Sequence, residues 1–377
     1  MIIRLSNCEH NLLSSKWNKS LLFIIFLSLI VIVLITYYIS SSHTKKDFVP
    51  PITDILPKNR TLLQMQSSEC IVNVEKRDGR LGNRMFIVAT AYGLARLHSC
   101  RLHITLDILN ELKSVFILDL SSLLISTSTY ISMRDNISRP MHYFSKEVQC
   151  DYVFELIRPN GIPFGSIFEP IGYWQSYLHF VRYGDELRKH VFAASQTTLE
   201  KVSKVFVEIY YEITGMRRQF SIENHQIFKK QLAEDNQITW IGIHVRRGDF
   251  ISLNFTSSPK YLIDAIQYYM IRYPNAHFIV ASDDKAYCKD LFREQSHVFI
   301  TPTTFSFGDD LITLSLCQHS IVTAGTFGWW TGYLANGEVI HDNVYISGCE
   351  KRAYYYPPWY LINGHVRGSR RMQFIPE

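Results

Sequence analysis

From Leu21 to Ile39 the chain reads LLFIIFLSLIVIVLITYYI, an apolar run with no charged side chain. At roughly 1.5 Å of rise per residue, a helix of this length matches the ~30 Å hydrocarbon core of a bilayer. No other feature constrains the organisation so strongly, because everything folded must sit to one side of the run. A cleaved secretory leader is the alternative, but its apolar stretch is typically about 7–15 residues and is followed by small residues. Here the run is longer and closes on Tyr37 and Tyr38, side chains suited to a membrane interface. The expectation is an uncleaved anchor at 21–39 with a cytosolic tail at 1–20. Arg4, Lys16 and Lys19 precede it and Lys45 and Lys46 follow it, so charge bias alone orients it weakly. A single anchor ahead of a large domain fits a type II protein with that domain in the secretory lumen.

Two further features agree with a lumenal domain. Asn59-Arg60-Thr61, Asn136-Ile137-Ser138 and Asn254-Phe255-Thr256 are glycosylation acceptor triplets, so Asn59, Asn136 and Asn254 are candidate N-glycosylation sites. Cys70, Cys100, Cys150, Cys288, Cys317 and Cys349 follow the anchor, a set compatible with disulfides in an oxidising compartment, whose pairing the sequence leaves open. No CxxC pair or Cys/His cluster suggests zinc. With 47% hydrophobic and only 19% charged residues the chain buries a large core and is not disordered. Its net charge of +5 is spread along the sequence, which argues against a nucleic-acid groove.

Residues 40–69 carry SSSHTKKDFVPP, Pro57 and polar breaks, and read as a stem. Beyond it, strand-like runs alternate with helical spacing. CIVNV (70–74) and RLHITL (101–106) flank the helical NRMFIVATAYGLARLH (83–98). Later, the strands TWIGIHV (239–245), HFIVAS (277–282) and SIVTA (320–324) alternate with YLIDAIQYYMIRY, DDLITLSLCQ and WWTGYLA. Such alternation predicts α/β architecture with parallel sheets. The stretch from about 110 to 235 shows no clean periodicity, so the expectation is two Rossmann-like α/β domains facing a cleft, at 70–236 and 237–377.

In open α/β sheets ligands bind beyond the carboxyl ends of strands, which singles out four turns. DGRLGNRMF (78–86) offers backbone N–H groups and a helix start at Gly82 and Asn83, without the spacing of a dinucleotide fingerprint or a P-loop. HVRRGD (244–249) carries adjacent arginines. Neighbours on a strand face opposite ways, so one guanidinium is expected to meet an anionic ligand and the other to serve the scaffold, for instance an ion pair of Arg247 with Asp249. ASDD (281–284) ends a strand with Asp283 and Asp284, suited either to accepting hydrogen bonds from a base edge or to capping the next helix. TAGTFGWWTGYL (323–334) presents Thr326 as a hydroxyl donor, and its tryptophan pair suits core packing better than sugar stacking.

GRLGNRMF, HVRRGDF, FIVASDD and TFGWWTGYL, in this order, resemble the alpha-1,2-fucosyltransferases of glycosyltransferase family 11, and HxRRxD is similar to an element shared with alpha-1,6- and protein O-fucosyltransferases. The resemblance covers about 70–345. It implies a GT-B-like fold, GDP-fucose as donor bound by the C-terminal part, an acceptor-side N-terminal part, inversion at the fucose anomeric carbon, and no metal or other cofactor. It implies that Arg246 meets the donor β-phosphate with His244 beside it, that Arg247 and Asp249 support the motif, that Gly82 and Asn83 frame the diphosphate and fucose, that Asp283 and Asp284 serve guanosine recognition, and that Thr326 donates on the phosphate side. Arg246 and Asp249 are thus the catalytic candidates. The chain departs from the family pattern at Arg84, where Gln is usual, and at Thr326, Phe327 and Gly328.

The resulting expectation is a Golgi type II enzyme moving L-fucose from GDP-fucose to the 2-hydroxyl of a galactose-terminated glycan on glycoproteins or glycolipids. The alternatives are fucosyl transfer of another linkage, a catalytically weak glycan-binding paralogue, and a metal-dependent transferase using Asp283 and Asp284 or Asp309 and Asp310.

Overall fold

The computed structural model describes residues 69–75, 79–135, 147–342, 351–362 and 374–376. By contacts the chain divides into Met1–Gln64 and Met65–Glu377, and every described residue belongs to the second unit. The expected tail, anchor, Asn59 and Asn136 lie outside the described residues, as does the stem up to residue 68. Among the described residues no helix is long and apolar enough to cross a membrane.

The first strand, β1 (Ile71–Val74), is buried throughout and leads into α1 (Leu81–His98). β2 (Arg101–Ile104) pairs with β1 in parallel, and β3 (Ile167–Phe168) pairs on its other side. Cys70 and Cys100 form a disulfide at the foot of β1 and β2, which closes a separation of 30 residues and contributes roughly 3–4 kcal/mol in the chain-entropy account. Cys150 is also disulfide-bonded, while Cys288 and Cys317 are free and buried.

The middle of the chain holds α2 (Leu106–Lys113), α3 (Thr127–Asp135), α4 (Gln196–Thr214) and α5 (His225–Ala233), with short 3-10 turns between them. α4 starts on the Ser195 side chain, which accepts from the Thr198 N–H, and stops at Gly215 in the left-handed region.

The second sheet is larger. β4 (Thr239–Val245) is its buried centre. The chain continues through α6 (Pro259–Arg272), β5 (Ala276–Ser282), α7 (Lys285–Leu291) and β6 (Val298–Ile300). It crosses back by α8 (Phe307–Leu316) to β7 (His319–Val322), then runs through α9 (Thr326–Ala335), β8 (Val339–His341), α10 (Arg352–Tyr355), β9 (Tyr360–Ile362) and β10 (Phe374–Pro376). The strand order is β10-β9-β8-β7-β4-β5-β6, parallel except for the β9–β10 pair. A parallel strand covered on both faces reads as an unbroken apolar run. That is why TWIGIHV is buried along its whole length, with Gly242 needed because a Cβ there would meet the Leu314 carbonyl at 3.1 Å.

β5 lies on one side of β4 and β7 on the other, so the winding reverses between β4 and β7. This is the topological switch point, where α/β sheets leave a crevice. The two sheets share one core. Phe86 of α1 packs at 4.4 Å from Trp329 and 5.1 Å from Trp330 of α9, both buried, as the core reading of that pair requires. The side chains of the expected α/β lobes therefore form a continuous apolar cluster.

Candidate active site

A cavity of about 920 Å³ opens at the switch point. Three of the four singled-out turns line it: residues 79–84 after β1, His244, Arg246, Asp249 and Phe250 after β4, and residues 324–327 after β7. Each leaves the carboxyl end of a parallel strand.

The first turn is locked to the last. Asn83 Oδ1 accepts from Thr326 Oγ1 at 2.8 Å and from Gln175 Nε2 at 3.1 Å. The Asn83 amide nitrogen remains without an acceptor among the described residues, a donor on the cavity wall. Trp330 Nε1 donates to the Gly82 carbonyl at 3.0 Å. A Cβ at Gly82 would stand 2.7 Å from Thr326 Oγ1 and 2.9 Å from the Phe327 nitrogen, so only glycine lets α1 and α9 start so close together.

The arginines divide between cavity and scaffold as expected, but their partners are exchanged. Arg246 lines the cavity, with its guanidinium held by Asp283 through Nη1 at 2.7 Å and by Asp249 through Nη2. Arg247 turns away, pairing with Asp284 at 3.2 Å and lying 3.6 Å above the Tyr287 ring. The expected Arg247–Asp249 pair is therefore replaced by Arg246–Asp249. The cause is the turn: strand alternation ends at Val245, and a 3-10 turn at Gly248–Phe250 brings residues 246 and 249 to one face. Asp249 Oδ2 also lies 3.6 Å from Arg80.

Asp283 and Asp284 do not line the cavity. Besides holding Arg246, Asp283 accepts the Arg247 backbone N–H at 2.9 Å. Asp284 caps α7 by accepting the Tyr287 N–H at 3.0 Å, the helix-cap role read from the sequence. Asp309 forms a capping box with Ser306 and pairs with Lys201, and Asp310 pairs with Lys285 at 3.0 Å. Among the described residues no group of three or more His, Cys, Asp or Glu side chains has metal-site geometry.

His244 is buried. Burial first, and the Arg246 guanidinium second, push its imidazole down to about 3, so it is neutral. Thr323 Oγ1 accepts the Arg246 backbone N–H at 2.7 Å and shares a hydrogen bond with His244 Nδ1 at 3.3 Å, which holds the ring in place. A Cβ at Gly328 would meet His244 Nδ1 at 2.5 Å, so this glycine too is fixed by a close approach.

Sequence reasoning missed part of the wall. Glu111, Ser114, Tyr173, Gln175 and Phe307 line the cavity from the middle of the chain and from the start of α8. Arg84, noted as a departure, forms an ion pair with Glu111. Asn254 is exposed and in the left-handed region, four residues beyond Phe250.

A profile described as Glycosyl transferase family 11 matches residues 205–363. Galactoside alpha-(1,2)-fucosyltransferase 2 of Sus scrofa is 25% identical over 312 residues, 76% of this chain and 79% of the relative. Galactoside alpha-(1,2)-fucosyltransferase 1 of Homo sapiens is 25% identical over 311 residues, 77% of this chain and 74% of that one. Over that segment the chain is similar to glycosyltransferase family 11. These matches make it a glycosyltransferase, and the family 11 match runs from β4 to β9 with Arg246, Arg247, Asp249 and Thr326. Among solved structures, the NodZ alpha-1,6-fucosyltransferase soaked with GDP-fucose aligns at a TM-score of 0.43 and 14% identity, covering 82% of this chain and 99% of that chain. The first turn, with Gly82 and Asn83, lies outside the family 11 match but inside the cavity that the matched residues line.

Proposed function

We propose that this glycosyltransferase is a family 11 enzyme that transfers L-fucose from GDP-fucose to the 2-hydroxyl of a galactoside on glycoprotein or glycolipid glycans, inverting the anomeric carbon, in a GT-B-like arrangement of its two sheets. The observation that carries the reading is Arg246 on the cavity wall at the switch point, beside the neutral His244 and the Asn83–Thr326 contact. The names of its relatives support the fucosyl donor and galactoside acceptor.

As the acceptor oxygen attacks C1, the bond to the β-phosphate breaks and negative charge grows on the departing GDP. A guanidinium already held in place by Asp283 and Asp249 stabilises that charge without reorganisation, as do N–H donors from Asn83. In this reading Asp249 orients Arg246, Arg247 braces the turn through Asp284, and Gly82 and Thr326 fix the approach of α1 to α9. Asp283 acts on the site through Arg246, and Asp284 through Arg247. The charge is met by protein donors, so the reading includes no metal or other cofactor.

The disulfide between Cys70 and Cys100 and the exposed Asn254 support a lumenal setting. With the 21–39 anchor they suit a Golgi type II topology.

The test is transfer by the full-length chain in detergent, with GDP-fucose offered against a glycan array and products read by linkage. Fucose on the 2-hydroxyl of terminal galactose, formed equally in EDTA, is the expected result. No transfer to any galactoside, or transfer abolished by EDTA, would overturn the reading. Glycosidase-sensitive mobility and co-staining with a Golgi marker check the compartment.

A further inference from the structure

Transfer to a hydroxyl needs a group to receive its proton, and the cavity offers few. Among the described residues lining it, the carboxylates are Glu111 and Asp249. Both oxygens of Asp249 are engaged by cations, Oδ1 by Arg246 and Oδ2 by Arg80 at 3.6 Å. Glu111 differs. Its Oε2 is buried against Arg84, while Oε1 takes no hydrogen bond or ion pair among the described residues. Its side chain is 32% exposed and stands on the cavity wall. Arg84 follows Asn83 directly, so the ion pair ties Glu111 to the turn that carries the Asn83–Thr326 contact.

We propose that Glu111 is the general base of the reaction and that Arg84 positions it. The inference rests on the fucosyl-transfer reading and assigns a role to a residue which that reading leaves out. The acceptor O–H bond breaks and its proton passes to Glu111 Oε1. The oxygen forms its bond to C1 of fucose, the C1–O bond to the β-phosphate breaks, and that electron pair departs with GDP toward Arg246. Water removes the proton from Glu111 after product leaves. The arrangement separates two duties that one aspartate cannot combine: Asp249 meets Arg246 with one oxygen and Arg80 with the other, and Glu111 keeps one oxygen open.

The test compares wild type, Glu111→Gln and Glu111→Asp as full-length chains, by GDP binding calorimetry and by kcat and KM from pH 5 to 9. The charged and titratable neighbours around the cavity are Arg84, Arg80, Arg246, Asp249, His244 and Tyr173, and they are unchanged in each variant. Glu111→Gln is expected to bind GDP within about threefold of wild type, to lose kcat by roughly 100-fold or more, and to lose the acid limb of the kcat profile. Glu111→Asp is expected to keep that limb at a reduced rate, and it decides the matter if the glutamine variant does not fold. Wild-type kcat in either variant, a persistent acid limb in Glu111→Gln, or loss of GDP binding in step with kcat would overturn the assignment. A wild-type chain that binds no GDP and transfers no fucose would instead overturn the fucosyl-transfer reading itself.

Discussion

The paired arginines show how one strand end serves two purposes. Arg246 is planar, permanently charged and gripped on two sides, so its fork is aimed before any ligand arrives. Arg247 is spent on Asp284 and Tyr287. Arg246→Lys keeps the charge but cannot hold both aspartates and an anion in one geometry. With a charge-assisted hydrogen bond worth about 1.5–3 kcal/mol, kcat/KM for GDP-fucose is expected to fall roughly 10- to 100-fold. Arg247→Lys is expected to lower the melting temperature while affecting transfer less. Steady-state kinetics beside thermal melts separate the two, and an Arg246→Lys enzyme within about threefold of wild type would contradict the division. From the sequence one guanidinium is expected to face the cavity and the other the scaffold, and Arg246 and Arg247 divide in that way although both lie past the end of β4. The sequence does not show which aspartate serves which arginine, because that depends on a 3-10 turn with Gly248 at φ +21°.

At the scale of elements, the site depends on where α8 and α9 end as well as on where they begin. Lys229 of α5 is half-buried and donates to the carbonyls of Ser315, Leu334 and Ala335 at 2.8, 2.7 and 2.8 Å, so one ammonium satisfies the last turns of both helices. Lys229→Met leaves three buried carbonyls without donors, at about 1–3 kcal/mol each, and is expected to destabilise the chain by at least about 3 kcal/mol in chemical denaturation. A loss below about 1 kcal/mol would show that water replaces the ammonium. Three strands of the second sheet, β4, β5 and β7, are legible in sequence because buried parallel strands are continuous apolar runs and the turns after them are rich in Gly, small residues and charge. α4 lies in the stretch where the sequence reading found no clean periodicity, although Ser195 caps it, Gly215 stops it, and Leu199, Val202, Phe206 and Ile209 are buried along it. The one-turn segments around Trp174 and Phe180 were not readable. Their burial comes from tertiary contacts with α1 and α9, such as Phe180 stacked 5.8 Å from Trp330, and not from a local period. Glu111 escaped notice for the same reason, because an isolated helical glutamate joins the cavity only once α2 packs on α1.

Across the whole molecule, burial of neutral histidines ties stability to pH. Burial pushes His179 down to about 4, and pushes His225, His244 and His341 to about 3, from an ordinary value near 6.5. Their folded-state values lie below the unfolded one, so the unfolded chain binds more protons in between. The stability they contribute is present above about pH 6.5 and is lost as pH falls toward 3–4, at about 1.4 kcal/mol per histidine per pH unit. The melting temperature is expected to be level from pH 7.5 to 6.5 and to drop progressively at 5.5 and 4.5; a level profile down to 4.5 would contradict this. One shared core carries all three cavity-lining turns, so a shift in any of them reaches Arg246. The measurement that tests the account most directly is a crystal structure of the chain with GDP. The expected result is a diphosphate within hydrogen-bonding distance of the Arg246 guanidinium in the cavity between β4 and β7. A diphosphate seated elsewhere, with Arg246 still closed on Asp249 and Asp283, would contradict it.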